Sequence, residues 1–151
     1  MDACVDEPQV VGAFADLYVA DVARSIAFYR SLLGLEVIVD HEWYAELGAG
    51  GRTLLALVQR GHPTVPAAAG SSPSGLLVSF EVTDARAVVE RAGVHGLVPI
   101  VPLTDELGQR HVMVSDPDGA VVDVIERIPL SAADVRRLAH FRRAHRAGAR
   151  P

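Results

Sequence analysis

Three carboxylates stand in apolar, strand-like stretches of this chain: Asp16, Glu81 and Asp123, each two residues or fewer from Val, Leu, Ile or Phe. Burying an unpaired carboxylate costs several kcal/mol, so such a group must be solvated, paired or protonated through a raised pKa. Tyr18 and Ser79 share strand parity with them, Tyr18 with Asp16 and Ser79 with Glu81. A carboxylate base with a hydroxyl or imidazole partner is the equipment of general acid–base chemistry, with Asp123 or Glu81 as base and Tyr18 or His111 as acid. Trp43 offers a large rigid surface for stacking on a flat ligand, and only one of Trp43 and Tyr44 is expected to face the same side of its strand. The six histidines, His41, His62, His95, His111, His140 and His145, show no His-Glu-x-x-His or i, i+4 pairing and have no cysteine partner. Five read as surface residues, and His111, beside Arg110 at the start of a strand, reads as a rim residue or a ligand contact.

The elements that must position these groups follow from periodicity. Between Gly61 and Gly75 the sequence GHPTVPAAAGSSPSG breaks helix and strand patterns alike and reads as a linker. The flanks repeat. Val19-Ala20-Asp21 opens a helical stretch ending at Gly34-Leu35, and Val82-Thr83-Asp84 opens another ending at Gly96-Leu97. In the first copy residues 13–19 alternate as a strand, Asp21 caps a helix carrying Val22, Ile26, Tyr29 and Leu33, and Gly34 stops it. Strands are expected at Val37–Val39, Trp43–Leu47 and Thr53–Val58, with a Gly48-Ala49-Gly50-Gly51 turn. The second copy predicts strands at Leu76–Val82, Leu97–Val101, His111–Ser115 and Ala120–Glu126, a helix over Asp84–Ala92, and a hairpin turn at Asp116-Pro117-Asp118-Gly119. Each copy is β-α-β-β-β, so the expected domains are a body over 1–127 (module 1 about 13–60, linker 61–75, module 2 about 76–127) and an Arg-rich tail over 128–151.

The segments LYVADVARSIAFYRSLLGLEV (17–37), SFEVTDARAVVERAG (79–93) and VSDPDGAVVDVIE (114–126), in this order, resemble the vicinal oxygen chelate superfamily, which contains glyoxalase I, extradiol dioxygenases, fosfomycin-resistance enzymes and bleomycin-binding proteins. The resemblance implies an α+β fold: two βαβββ modules forming an incomplete barrel around a cleft, with a C-terminal helix added here, paired as a homodimer. Metal-dependent relatives place a ligand on each of four strands, and those positions carry over to Phe14, Ala56, Leu77 and Asp123. Phe, Ala and Leu side chains have no lone pair to give, and a single carboxylate makes no Zn²⁺ or oxygen-liganded site. No metal and no other cofactor is therefore expected. Alternation then puts Asp16, Tyr18, Ser79, Glu81 and Asp123 in the cleft, with Phe14, Trp43, Ala56 and Leu77 among its apolar lining. The reading is a metal-independent protein of the bleomycin-resistance-like type that binds a small organic molecule, aromatic or polyketide-like. The alternative is a lyase, isomerase or dioxygenase using a cleft carboxylate, or a divalent ion held by His111, Asp123 and Glu81.

The chain has 151 residues, half of them hydrophobic and 22% charged, enough to build a core without staples. Lone Cys4 forms no internal bridge, no apolar run approaches the roughly 20 residues that span a bilayer, and no leader opens the sequence, so a cytoplasmic protein without a membrane partner is expected. Residues 1–126 carry 7 Arg and 18 acidic residues, a charge of −11, whereas residues 127–151 carry 7 Arg against Asp134 alone, +6. An acidic body is a poor match for a phosphate backbone, and the tail lacks aromatic interleaving, so no nucleic-acid partner is expected. Ser131 and Asp134 form a short capping box, from which the tail is expected to run either as a solvated helix that docks through Val135, Leu138 and Phe141 and frays after Ala144, or as an electrostatic clasp onto the acidic body of the same or a partner subunit.

Overall fold

Leu17 and Val19 alternate with Asp16 and Tyr18, and the strand they form, β1 (Ala15–Val19), buries the first pair to 1% and 0% exposure. The computed structural model describes residues 10–70 and 74–148, with side chains through residue 140; Cys4, the linker residues 71–73 and the outer arginines of the tail lie outside them. Residues 10–30 and 34–70 form one compact unit, and residues 31–33 with 74–148 a second.

In the first unit Asp21 leaves β1 in an extended conformation and caps α1 (Val22–Leu33), its carboxylate accepting from the Arg24 N–H. Gly34, at φ 70°, closes the helix by donating to the Arg30 carbonyl, a left-handed conformation that glycine adopts without penalty. Val22, Ser25, Tyr29 and Leu32 are the buried stripe. That stripe is rotated from the expected one, with Ile26 and Leu33 only half-buried. Then come β2 (Glu36–His41), β3 (Tyr44–Ala49) and β4 (Arg52–Gln59), in the sheet order β1-β4-β3-β2 with β1 parallel to β4. Gly48 is required by packing, because a Cβ there would run into the Arg52 carbonyl at a register shift between β3 and β4.

The second unit repeats the order with β5 (Leu77–Glu81), α2 (Ala85–Val94), β6 (Val101–Glu106), β7 (Gln109–Ser115) and β8 (Val121–Arg127), in the sheet order β5-β8-β7-β6. The Asp84 carboxylate caps α2 by accepting from the N–H groups of Arg86 and Ala87. Val78, Phe80, Val122 and Val124 are buried, and Leu77, Ser79 and Glu81 take the opposite, open face. Asp116 organises the turn before β8: its Oδ1 accepts from Asp118 N at 2.9 Å and Ala120 N at 2.8 Å. The α+β architecture of two β-α-β-β-β units plus a C-terminal helix is therefore as expected.

The strand expected at Leu97–Val101 is displaced to Val101–Glu106. Pro99 and Pro102 remove two ladder donors, the register slips between Val101 and Thr104, and the polar Thr104-Asp105-Glu106 run forms an exposed edge strand. The helix α3 (Ala132–Gly148) starts at the expected box: the Asp134 carboxylate accepts from Ser131 N and Oγ, and Ser131 Oγ accepts from Asp134 N. Asp134 also accepts from Leu107 N, and Arg137 pairs with Glu106 at 3.0 Å, so the tail is fastened to the β6–β7 turn. The helix continues past Ala144, where fraying was expected, to Gly148. Among the described residues, no helix is long and apolar enough to cross a membrane.

Candidate functional site

Strand register builds two parallel rows on the open face of the first unit. Asp16 on β1 sits opposite Ala56 on β4, which sits opposite Glu46 on β3; one step along, Tyr18, Val58 and Tyr44 align in the same way. A cavity of about 330 Å³ opens beside the second row. Asp16, Tyr18, Tyr44 and Val58 line its sheet side, Trp43 its end, and Thr64, Val65 and Pro66 its outer wall.

Trp43 corrects the sequence reading. It was expected on a strand, with only one of Trp43 and Tyr44 facing the site. It lies instead in the turn between β2 and β3, which frees its ring from strand alternation, and both aromatic rings line the cavity. The Trp43 carbonyl accepts from Gln59 N at 2.8 Å. Its indole stacks on the imidazole of His62, with centroids 3.9 Å apart and planes 4° from parallel. His62 Nδ1 in turn lies 2.9 Å from Thr64 Oγ1. His62 and its neighbours were read as linker and surface; here backbone bonds from His62 N to Gln59 O and from Val65 N to His62 O fold the segment into a turn that walls the cavity.

The electrostatics of this face are one-sided. Glu46 accepts from Tyr44 Oη at 2.8 Å and Thr53 Oγ1 at 2.6 Å, and these bonds, Thr53 first, hold its carboxyl below the usual range. Although Asp16 is an open residue, partial burial of its carboxyl and then the Glu46 charge push it upward. Tyr44 is raised to about 12, by burial first and then by its bond to Glu46, so it stays protonated as a donor.

The second unit's open face is built from matched pairs. His111 on β7 lies with Nδ1 3.3 Å from Oδ1 of Asp123 on β8, a residue 6% exposed, and Ser79 is Asp123's register partner on β5. Glu81 meets Arg127 at 2.9 Å, both side chains 60% exposed, and Leu77 is half-open beside Val121. On the opposite side of this sheet Arg110 forks onto Asp105 and reaches Glu126 at 3.4 Å, and Glu126 receives the Ala85 N–H at the head of α2.

Of the candidate residues, Asp16, Tyr18, Trp43 and Ala56 thus come together in the first unit, with Phe14, half-exposed, just before β1; Leu77, Ser79, Glu81, Asp123 and His111 gather in the second. Glu46, Thr53, His62 and the wall at 64–66 were not foreseen, and Tyr44 entered only as the alternative to Trp43. Glu46 left a signal, as the one charge inside the run Tyr44-Ala45-Glu46-Leu47.

The four positions to which the resemblance carries a metal-dependent relative's ligands are Phe14, Ala56, Leu77 and Asp123, and only the last has a donor atom. Its Oδ1 faces His111. These residues do not fit a metal centre, which needs three or more converging donors. Among the described residues no group of three or more His, Cys, Asp or Glu is placed to hold an ion.

Comparison with known proteins agrees with the fold. No curated protein matches. A protein of unknown function from Agrobacterium tumefaciens str. C58 is 25% identical, with a TM-score of 0.64 over 82% of this chain and 98% of that one. TioX from Micromonospora sp. ML1 is 21% identical at a TM-score of 0.64, covering 78% of this chain and all of that one. A lactoylglutathione lyase from Agrobacterium tumefaciens is 20% identical at 0.61, covering 80% and 96%. The model of the Glyoxalase/Bleomycin resistance protein/Dioxygenase superfamily matches residues 10–124, and the chain belongs to that superfamily.

Proposed function

We propose that this chain binds a small aromatic or polyketide-like molecule, without a metal ion, in the cavity of its first β-α-β-β-β unit, in the manner of the bleomycin-resistance-like members of its family. The observation that carries this reading is the aromatic wall. Tyr18, Trp43 and Tyr44 converge on one cavity of about 330 Å³, within the size range of small-molecule sites, and Trp43 is held in place by its stack on His62. Ordering the indole before the ligand arrives reduces what binding must overcome. Ala56 supports the reading from the metal side: where a relative presents a ligand, a buried methyl group floors the sheet. Operation as a cytoplasmic homodimer belongs to the same proposal, and native mass spectrometry tests the dimer.

Trp43 is the only tryptophan of the chain, so its emission reports this cavity alone. A panel of flat aromatic compounds absorbing beyond the indole band should include members that quench it saturably and return chemically unchanged after long incubation. Absence of any saturable quenching across such a panel contradicts the proposal.

One observation favours a second reading, an enzyme of the lyase or isomerase kind. His111 beside buried Asp123 has the geometry of a base with its orienting carboxylate. Conversion of a bound compound that stops in Asp123→Asn, with binding retained, would favour it over sequestration.

A further inference from the structure

We propose that the molecule taken by the first unit's cavity carries a positive charge on or beside its aromatic ring, and that Asp16 and Glu46 select it. This rests on the reading of that cavity as a binding site and adds the chemical class of its occupant.

Charge pairing separates these two carboxylates from those on the second unit's sheet. In the second unit Glu81 meets Arg127, Asp105 and Glu126 share Arg110, Glu106 meets Arg137, and Asp123 faces His111. Asp16 and Glu46 have no cationic partner among the described residues. They flank Ala56 on one face of one sheet, on strands that neighbour the same central strand, each about 4.8 Å from it. Nothing larger than a methyl group stands between them to screen one charge from the other.

The two differ in how they are held. Glu46 is fixed by the Tyr44 and Thr53 hydroxyls, both donors to an anion, so its charge is permanent and oriented. Asp16 reaches the cavity itself and has its ionisation opposed by burial and by Glu46. A cation entering beside Asp16 removes that opposition, and the relief becomes binding energy that a neutral molecule of the same shape cannot obtain. The ring faces of Tyr18, Trp43 and Tyr44 attract the same charge through their quadrupoles. Carboxylate and aromatic wall therefore favour one class of guest, a flat organic cation such as an arylalkyl ammonium, and both disfavour an anion.

Three probes of nearly equal shape test this by calorimetric titration of the full chain at pH 7 and low salt: 1-naphthylmethylammonium, 1-naphthylmethanol and 1-naphthoate. The ammonium should bind about tenfold tighter than the alcohol, and the carboxylate weakest. Asp16→Asn should remove most of the ammonium's advantage over the alcohol, and an unchanged circular dichroism spectrum shows that the variant is folded. Glu46→Gln should narrow the ratio less. Equal binding of ammonium and alcohol by the unaltered chain, or tighter binding of the carboxylate, overturns the cation inference and leaves the aromatic cavity standing. If none of the three binds, or if Trp43→Ala leaves all affinities unchanged, the cavity reading fails and takes this inference with it.

Discussion

The two β-α-β-β-β units share a plan on their buried sides and differ on their open ones. Both begin with a parallel strand pair, both cap the following helix with an aspartate in extended conformation, and both bury alternate residues of the first strand. The buried residues are interchangeable in kind: Leu17, Val19 and Leu57 in one, Val78, Phe80, Val122 and Val124 in the other. On the open faces the second unit answers its carboxylates with Arg127 and His111, whereas in the first Asp16 and Glu46 have no cationic partner among the described residues and stand near three aromatic rings and a cavity. Paired charges on a sheet are self-sufficient. Unpaired ones beside an aromatic wall call for a guest, and that contrast points to the first unit as the binding half.

The buried sides should prove equivalent. Phe80→Ala should cost about 3–5 kcal/mol and Leu57→Ala about 2–5 kcal/mol in urea denaturation, and a negligible loss for either would break the symmetry of the two cores. On the open sides the effects should diverge. Trp43→Ala should weaken binding of the naphthyl ammonium probe about tenfold or more, while His111→Ala should leave its affinity unchanged in the same titration. Smaller effects sharpen the comparison at the helix caps. Asp21→Ala and Asp84→Ala should each cost about 1 kcal/mol by denaturation. The loss at Asp84 should be the larger, since that carboxylate accepts two N–H groups and Asp21 accepts one.

The smallest effect is one of sign. Asp16 is raised in the fold, so the stability it contributes is full below the unperturbed value of 3.8 and lost as pH rises through its folded pKa. Asp16→Asn should accordingly raise the Tm at pH 7 and leave it unchanged below pH 3.8. Glu46 is lowered, so its contribution is present above 4.5 and lost as pH falls through the folded value; Glu46→Gln should lower the Tm at pH 7. Thermal melts across pH distinguish the two, and the same sign for both substitutions contradicts the electrostatic description of this face.

The sequence was legible wherever a local rule acts alone. Asp21 and Asp84 mark helix starts because a short side-chain acceptor is needed there, and Pro117 with Gly119 marks the hairpin because the backbone conformation is set within the turn. Alternation separated the faces of β1 and β5 because one side of each is buried against apolar neighbours, whereas the middle residues of β4 and β8 are buried on both faces and take their parity from register with β1 and β5. It failed at β6, where both sides of a polar edge strand are exposed and no pattern distinguishes it from a loop. The site was legible only in part for a similar reason. Asp16, Tyr18 and Ala56 follow from strand parity, but Trp43 and His62 lie in turns, outside any period, and meet through a contact that no spacing encodes. Glu46 was visible as a charge in an apolar run, yet its meaning depends on Thr53 reaching it from β4 and Tyr44 from two residues away on its own strand.

A cavity that holds an organic molecule by aromatic and electrostatic contact, as proposed, needs no bound ion. Calorimetric titration of the naphthyl ammonium probe into chain stripped with a chelator, and then into the same chain supplied with Zn²⁺, Fe²⁺ or Ni²⁺, tests it directly. Equal affinity in both states is the predicted result. Binding that appears only when one of those ions is restored would contradict it.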